Sequence, residues 1–108
     1  MGNAYKRLGA LRPANTNEAK LYGPAAATSA VVSVNICNQD ATARTYRVAL
    51  TDTDTTADNE DFIAYDMTIE SNQYHQISGI SLVYPNTIRV KTSIADLISF
   101  VAHGMEIT

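Results

Sequence analysis

The sequence predicts an all-β chain, a single antiparallel β-sandwich preceded by an extended N-terminal arm. Three observations carry that expectation. From Ala30 to Ile107, apolar and polar residues alternate with period two in one short run after another, the pattern of strands with one buried face. There are about six or seven such runs, and their turns recur every 8–12 residues or so, as in antiparallel sandwiches. The chain has 108 residues, enough for one domain with one core.

The elements follow in order. Residues 1–24 carry scattered apolar anchors, Tyr5, Leu8, Leu11, Leu21 and Tyr22, among polar residues. The spacing of Tyr5, Leu8 and Leu11 suits a helix, but Gly9 and Pro13 interrupt it. The segment therefore reads as an extended arm, ordered only when a partner ties it down, and 25–108 reads as the sandwich domain. Ala30 to Asn38 alternates, with Val32, Val34 and Ile36 on one face, and Arg44 to Leu50 repeats the pattern with Tyr46, Val48 and Leu50 inward. With polar Asn38–Ala41 between them, the two read as a hairpin. Thr51–Asp61 holds nothing apolar larger than alanine and reads as a surface loop. Phe62 to Ile69 puts Ile63, Tyr65, Met67 and Ile69 on one face. Tyr74 to Val83 reads as a longer strand or two short ones, with a bend or bulge at Gly79. Tyr84-Pro85-Asn86 turns the chain into Thr87–Thr92, with Ile88 and Val90 inward. Leu97 to Ile107 closes the domain, with a second bulge expected at Gly104. The expected core is Val32, Val34, Ile36, Tyr46, Val48, Leu50, Ile88, Val90 and Phe100.

Composition narrows the function. Apolar residues make up 45% of the chain and charged residues 18%, too apolar for disorder. No apolar run nears the ~18 residues of a membrane span, and the N-terminus has no apolar signal region. One cysteine leaves no internal disulfide and no cysteine-based zinc site. The net charge of −3 is uneven: residues 1–50 carry +4 and residues 51–108 carry −7. An acidic chain lacks the clustered Lys and Arg that phosphate contacts need, so neither nucleic acid nor membrane is an expected partner. The basic residues Lys6, Arg7, Arg12 and Lys20 fall on the arm, which suits an acidic surface such as that of a neighbouring copy.

Candidate chemistry is sparse. The loop from Asp52 to Asp61 invites a calcium reading, but Thr56, Ala57 and Ile63 occupy places where the EF-hand needs a ligand, a glycine and a glutamate. His75 and His103 stand far apart without the spacing of a zinc site. Cys37 lies within a strand with no basic neighbour, which suits a structural thiol. No nucleophile elbow, dinucleotide fingerprint or phosphate loop occurs. The expectation is a protein that is not an enzyme, with no cofactor, no metal ligand and no catalytic residue. The residues expected to act are those of an assembly arm: Tyr5, Lys6, Arg7, Leu8, Leu11, Arg12 and Leu21.

The stretch Leu21-Tyr22-Gly23-Pro24-Ala25, then Val31-Val32-Ser33, Cys37-Asn38 and Tyr46-Arg47-Val48-Ala49, resembles small bacteriophage virion proteins. Those typically read "LY-x-PA", "VVS", "CN" and "FRVA" in this order. Phe62-Ile63-Ala64-Tyr65-Asp66, the ending Ser99-Phe100 with Gly104-Met105-Glu106, and the opening Tyr5-Lys6-Arg7-Leu8-Gly9 are similar to the same group. Gly23 departs from it, where a β-branched residue is more usual. The resemblance implies a non-enzymatic β-sandwich component of a virion, foremost a tail protein of the baseplate or fibre attachment. A capsid decoration or cement protein is the alternative, and a carbohydrate- or receptor-binding module the second alternative. The expected partners are further copies of the chain, as a trimer or hexamer, and other virion proteins of the tail or the major capsid protein. The expected location is the virion.

Overall fold

The alternation of the strands sorts the chain into two layers. The structure, a computed structural model, describes residues 2–108. Eight strands follow one another: β1 (Asn3–Leu11), β2 (Ala19–Tyr22), β3 (Ser29–Asn38), β4 (Arg44–Thr51), β5 (Phe62–Ile69), β6 (Tyr74–Val83), β7 (Thr87–Thr92) and β8 (Ile98–Ile107). A short 3-10 turn, Asn59–Asp61, precedes β5. One sheet has the order β1-β8-β3-β6 and the other β2-β7-β4-β5, four strands each. Every pairing is antiparallel. The expected all-β antiparallel sandwich is therefore present, with eight strands rather than six or seven. The two additional strands come from the segment read as an arm: β1 pairs with β8 and β2 with β7 of the same chain.

The order has a simple logic. β1 pairs with β8, β2 with β7, β3 with β6 and β4 with β5. These are the nested pairs of one long antiparallel ribbon folded at its middle. Rolling that ribbon brings β8 beside β3 and β7 beside β4. Eight strands so wound into two sheets form a jelly roll. The roll also corrects the hairpin expected of β3 and β4. They lie in opposite sheets, because β3 is flanked by β8 and β6 on both sides and has no free edge to offer.

The core fills the space between the sheets. Val32, Val34 and Ile36 of β3 and Ile98, Phe100 and Ala102 of β8 face Val48 of β4 and Ile88 and Val90 of β7, each 2% exposed or less. Tyr46 joins them, its ring edge-on to Phe100 with centroids 6.3 Å apart. Leu50 is only half-buried while Ala49 is buried. The pairing of β4 with β5 shifts register on both sides of Val48, which breaks the simple alternation there. β5 departs furthest from expectation. Ile69 is buried, but Ile63, Tyr65 and Met67 are about half exposed. The same register shifts and Asp66, at φ 49°, turn these side chains out of the core.

Gly79 marks the expected bulge, where the β3–β6 register shifts between Val32 and Val34. Gly104 lies within an unbroken β3–β8 register instead. Its φ of 155° and the closeness of the Val31 carbonyl oxygen to where a Cβ would stand explain why glycine is there.

Candidate assembly edges

A sandwich has two open sides, and here they differ. On the first side, β1 and β2 are the edge strands, and the sheets meet closely. A Cβ at Gly9 would lie 2.6 Å from the Leu21 carbonyl oxygen, so glycine permits the approach. The register of β1 shifts between Arg7 and Gly9. Leu8 and Leu11 pack on the core and Leu21 is buried within it. Of the arm residues singled out from sequence, these three anchors serve the chain's own interior. Lys6 forms an ion pair with Glu106 at 2.8 Å. The Tyr22 hydroxyl donates to the same carboxylate at 2.6 Å. The lysine, and then the phenol, hold Glu106 below the ordinary carboxylate range. Burial, reinforced by that carboxylate, pushes the Tyr22 phenol up. Arg12 reaches Gln39 Oε1 at 3.4 Å. Tyr5 is 82% exposed and Arg7 is exposed beside it.

On the second side, β5 and β6 are the edges, and the sheets leave a groove of about 410 Å³. It is lined by Tyr46, Ile63, Ala64, Met67, His75, Gln76 and Ile77. At its floor the Tyr46 hydroxyl and His75 Nδ1 share a hydrogen bond of 2.8 Å, and burial raises the Tyr46 phenol. Groove and tyrosine–histidine pair were not visible from sequence. The signal that could have found them is the run Phe62–Met67, too apolar for a strand with one wet face unless something covers it.

Charges are matched largely within the chain. The loop after β4 folds back across the outer face of the second sheet. There Asp54 takes Lys20 at 2.9 Å and Arg89 at 3.3 Å, and Glu18 takes Arg89 at 2.6 Å. Asp58 and Asp61 cap the turn Asn59–Asp61. Of the carboxylates considered for calcium, Asp54 and Asp61 thus have other partners. Among the described residues no three His, Cys, Asp or Glu side chains gather as metal ligands. Arg47 grips Asp66 through two hydrogen bonds of 2.6 and 3.1 Å and lies 3.9 Å over the Tyr65 ring. That arginine, before Lys91, holds Asp66 below the usual carboxylate range. His103 and Gln76 both meet Asn35 Oδ1, at 2.9 and 3.1 Å. Cys37 is half-buried. Among the described residues, no helix is long and apolar enough to cross a membrane.

After this pairing a polarity remains. Residues 48–88, which include β5 and β6, contain no lysine or arginine and seven carboxylates. Among the described residues Arg7 and Arg12, at the β1 side, form no ion pair. No family model matches the chain, and no curated protein is significantly similar to it.

Proposed function

We propose that this chain is a non-enzymatic structural component of a bacteriophage virion, built into the tail as a baseplate or fibre-attachment protein. The observation that carries the reading is the nested pairing β1–β8, β2–β7, β3–β6 and β4–β5. It is the jelly roll, an architecture used by viral capsid and lectin domains. Because one fold hosts many functions, two further points support the choice. The strand sequences resemble small virion proteins. Both sides of the sandwich also present strands with a free edge, and such edges join neighbours by backbone hydrogen bonding. Contacts that are weak singly become strong when symmetry repeats them. The test is the composition of purified particles from the source of this sequence. A band of 11.7 kDa at about three to a few tens of copies per particle fits a closed ring or spike in the tail. Hundreds of copies move the protein to the capsid surface as a decoration protein. Absence from the particles refutes the reading.

A carbohydrate-binding module is the second reading, favoured by one observation. Exposed Tyr65 stands beside a polar pocket of about 180 Å³ lined by Thr45, Arg47, Asp66, Lys91 and Ser93 among others. A glycan array probed with the purified chain, and again with Tyr65→Ala, tests it: binding lost in the variant supports it, and no binding removes it.

A further inference from the structure

The four edge strands are not equally protected. β2 is four residues long. β5 carries two register shifts and the Asp66 kink, both devices that discourage strand addition. β1 carries Lys6 and Arg7. β6 shifts register once, at Gly79, but its ten residues include no Asp, Glu, Lys, Arg or Pro, so it is the one long edge without a guarding charge. Beside it runs the groove, where Ile63 and Met67 remain 46% exposed. An uncharged edge next to uncovered apolar side chains is a surface made to be covered.

We propose that the occupant is β1 of a second copy, which extends the neighbour's sheet at β6 in a head-to-tail contact. Three observations select it over a second β6. Charge comes first. Residues 59–88, which hold β5, β6 and the turn between them, bear carboxylates and no lysine or arginine, so two such sides repel while Arg7 and Arg12 of the β1 side attract. Length comes second, since β1 has nine residues against ten in β6. Third, the β1 side leaves Leu8 and Leu11 partly open, apolar surface to set against Ile63 and Met67. Two different surfaces meeting in this way form a heterologous contact, which closes into a ring or propagates as a helix. The inference deepens the assembly reading by naming the partner and the polarity of the contact.

The experiment uses the full chain in solution. Sedimentation velocity of the wild type at up to about 1 mM should show association that weakens as salt is raised. One variant, Arg7→Glu, reverses charge on β1. Another, Gln76→Lys with Ser81→Lys, places lysines on exposed positions of β6. Each alone should associate about tenfold more weakly or less still, and an equimolar mixture should associate again, because the Arg7→Glu β1 now meets the lysine-bearing β6 and the unchanged β1 of the other variant meets an unchanged β6. Circular dichroism verifies that both remain folded; Arg12→Glu and Tyr74→Lys replace either that does not. A monomeric wild type, a single variant that still associates fully, or a mixture that stays monomeric overturns the contact. None of these results alters particle composition, so the virion reading stands or falls separately.

Discussion

Asn38, at the end of β3, is fully buried and holds the crossing between the sheets. Its Nδ2 donates toward the Thr42, Ile69 and Glu70 carbonyl oxygens at 3.0, 3.1 and 3.2 Å, and its Oδ1 accepts from Asp40 N at 2.9 Å. One side chain thereby ties the β3–β4 crossing to the β5–β6 turn. Each buried group left without a partner costs about 1–3 kcal/mol, so Asn38→Ala should lower stability by about 2 kcal/mol or more in urea unfolding, with the slope unchanged. From sequence the same residue reads as turn material, because nothing local reveals partners 31 and 32 positions away. Glu106 gives a second prediction at this scale. Its folded-state acidity is enhanced by Lys6 and Tyr22, so it binds its proton less readily folded than unfolded. The stability it contributes is present above its ordinary value of 4.5 and is lost as pH falls below it. Tyr22 acts in the opposite sense. With its folded value above the ordinary 10.0, its contribution is complete below pH 10 and is lost as pH rises beyond it. Melting temperature plotted against pH should fall on both flanks, and Glu106→Gln should flatten the acid flank.

Strands with both neighbours in place were readable; edges were not. In β3, β7 and β8 the alternation survives intact, because each keeps an unbroken register against its inner neighbour, β3 with β8 and β7 with β4, while the register shifts fall on the pairings with edge strands. β5 obscures it through the kink at Asp66, which sends Ile63, Tyr65 and Met67 away from Ile69. β1 hides it differently. Its register shift between Arg7 and Gly9 converts a two-residue rhythm into the three-residue spacing of Tyr5, Leu8 and Leu11, which imitates a helix. Gly9, which reads as a breaker, is instead the residue that lets β1 approach β2. The assignment of strands to sheets was also illegible, since it depends on partners far apart in sequence. The consequence for the N-terminal segment is specific. A chain beginning at Leu21 would expose the β8 edge and lose the cover of Leu8 and Leu11. Even half-burial of two such leucines is worth about 1.5–3 kcal/mol, and the β1–β8 hydrogen bonds are lost besides. Such a truncation should therefore melt more than about 10 °C below the full chain, measured by near-ultraviolet or far-ultraviolet circular dichroism. An unchanged melting temperature would mean that β1 contributes nothing to its own sandwich.

At the scale of the whole molecule, the rolled ribbon sets where function can reside. The core uses the inner faces of both sheets, and five basic side chains find carboxylates within the chain. What remains outward is a polarity: a β1 side with exposed Tyr5 and two arginines that form no ion pair among the described residues, and a β5–β6 side with an apolar groove and carboxylates. Such a molecule is suited to repeating contacts with copies of itself and with larger neighbours. The claim at stake is that this happens in a phage particle. Immunogold electron microscopy of purified virions, with antibody raised against the purified chain, tests it most directly. Gold confined to the tail or its attachment region is the predicted result, and particles that carry no label, although the antibody detects the protein in the producing cells, would contradict it.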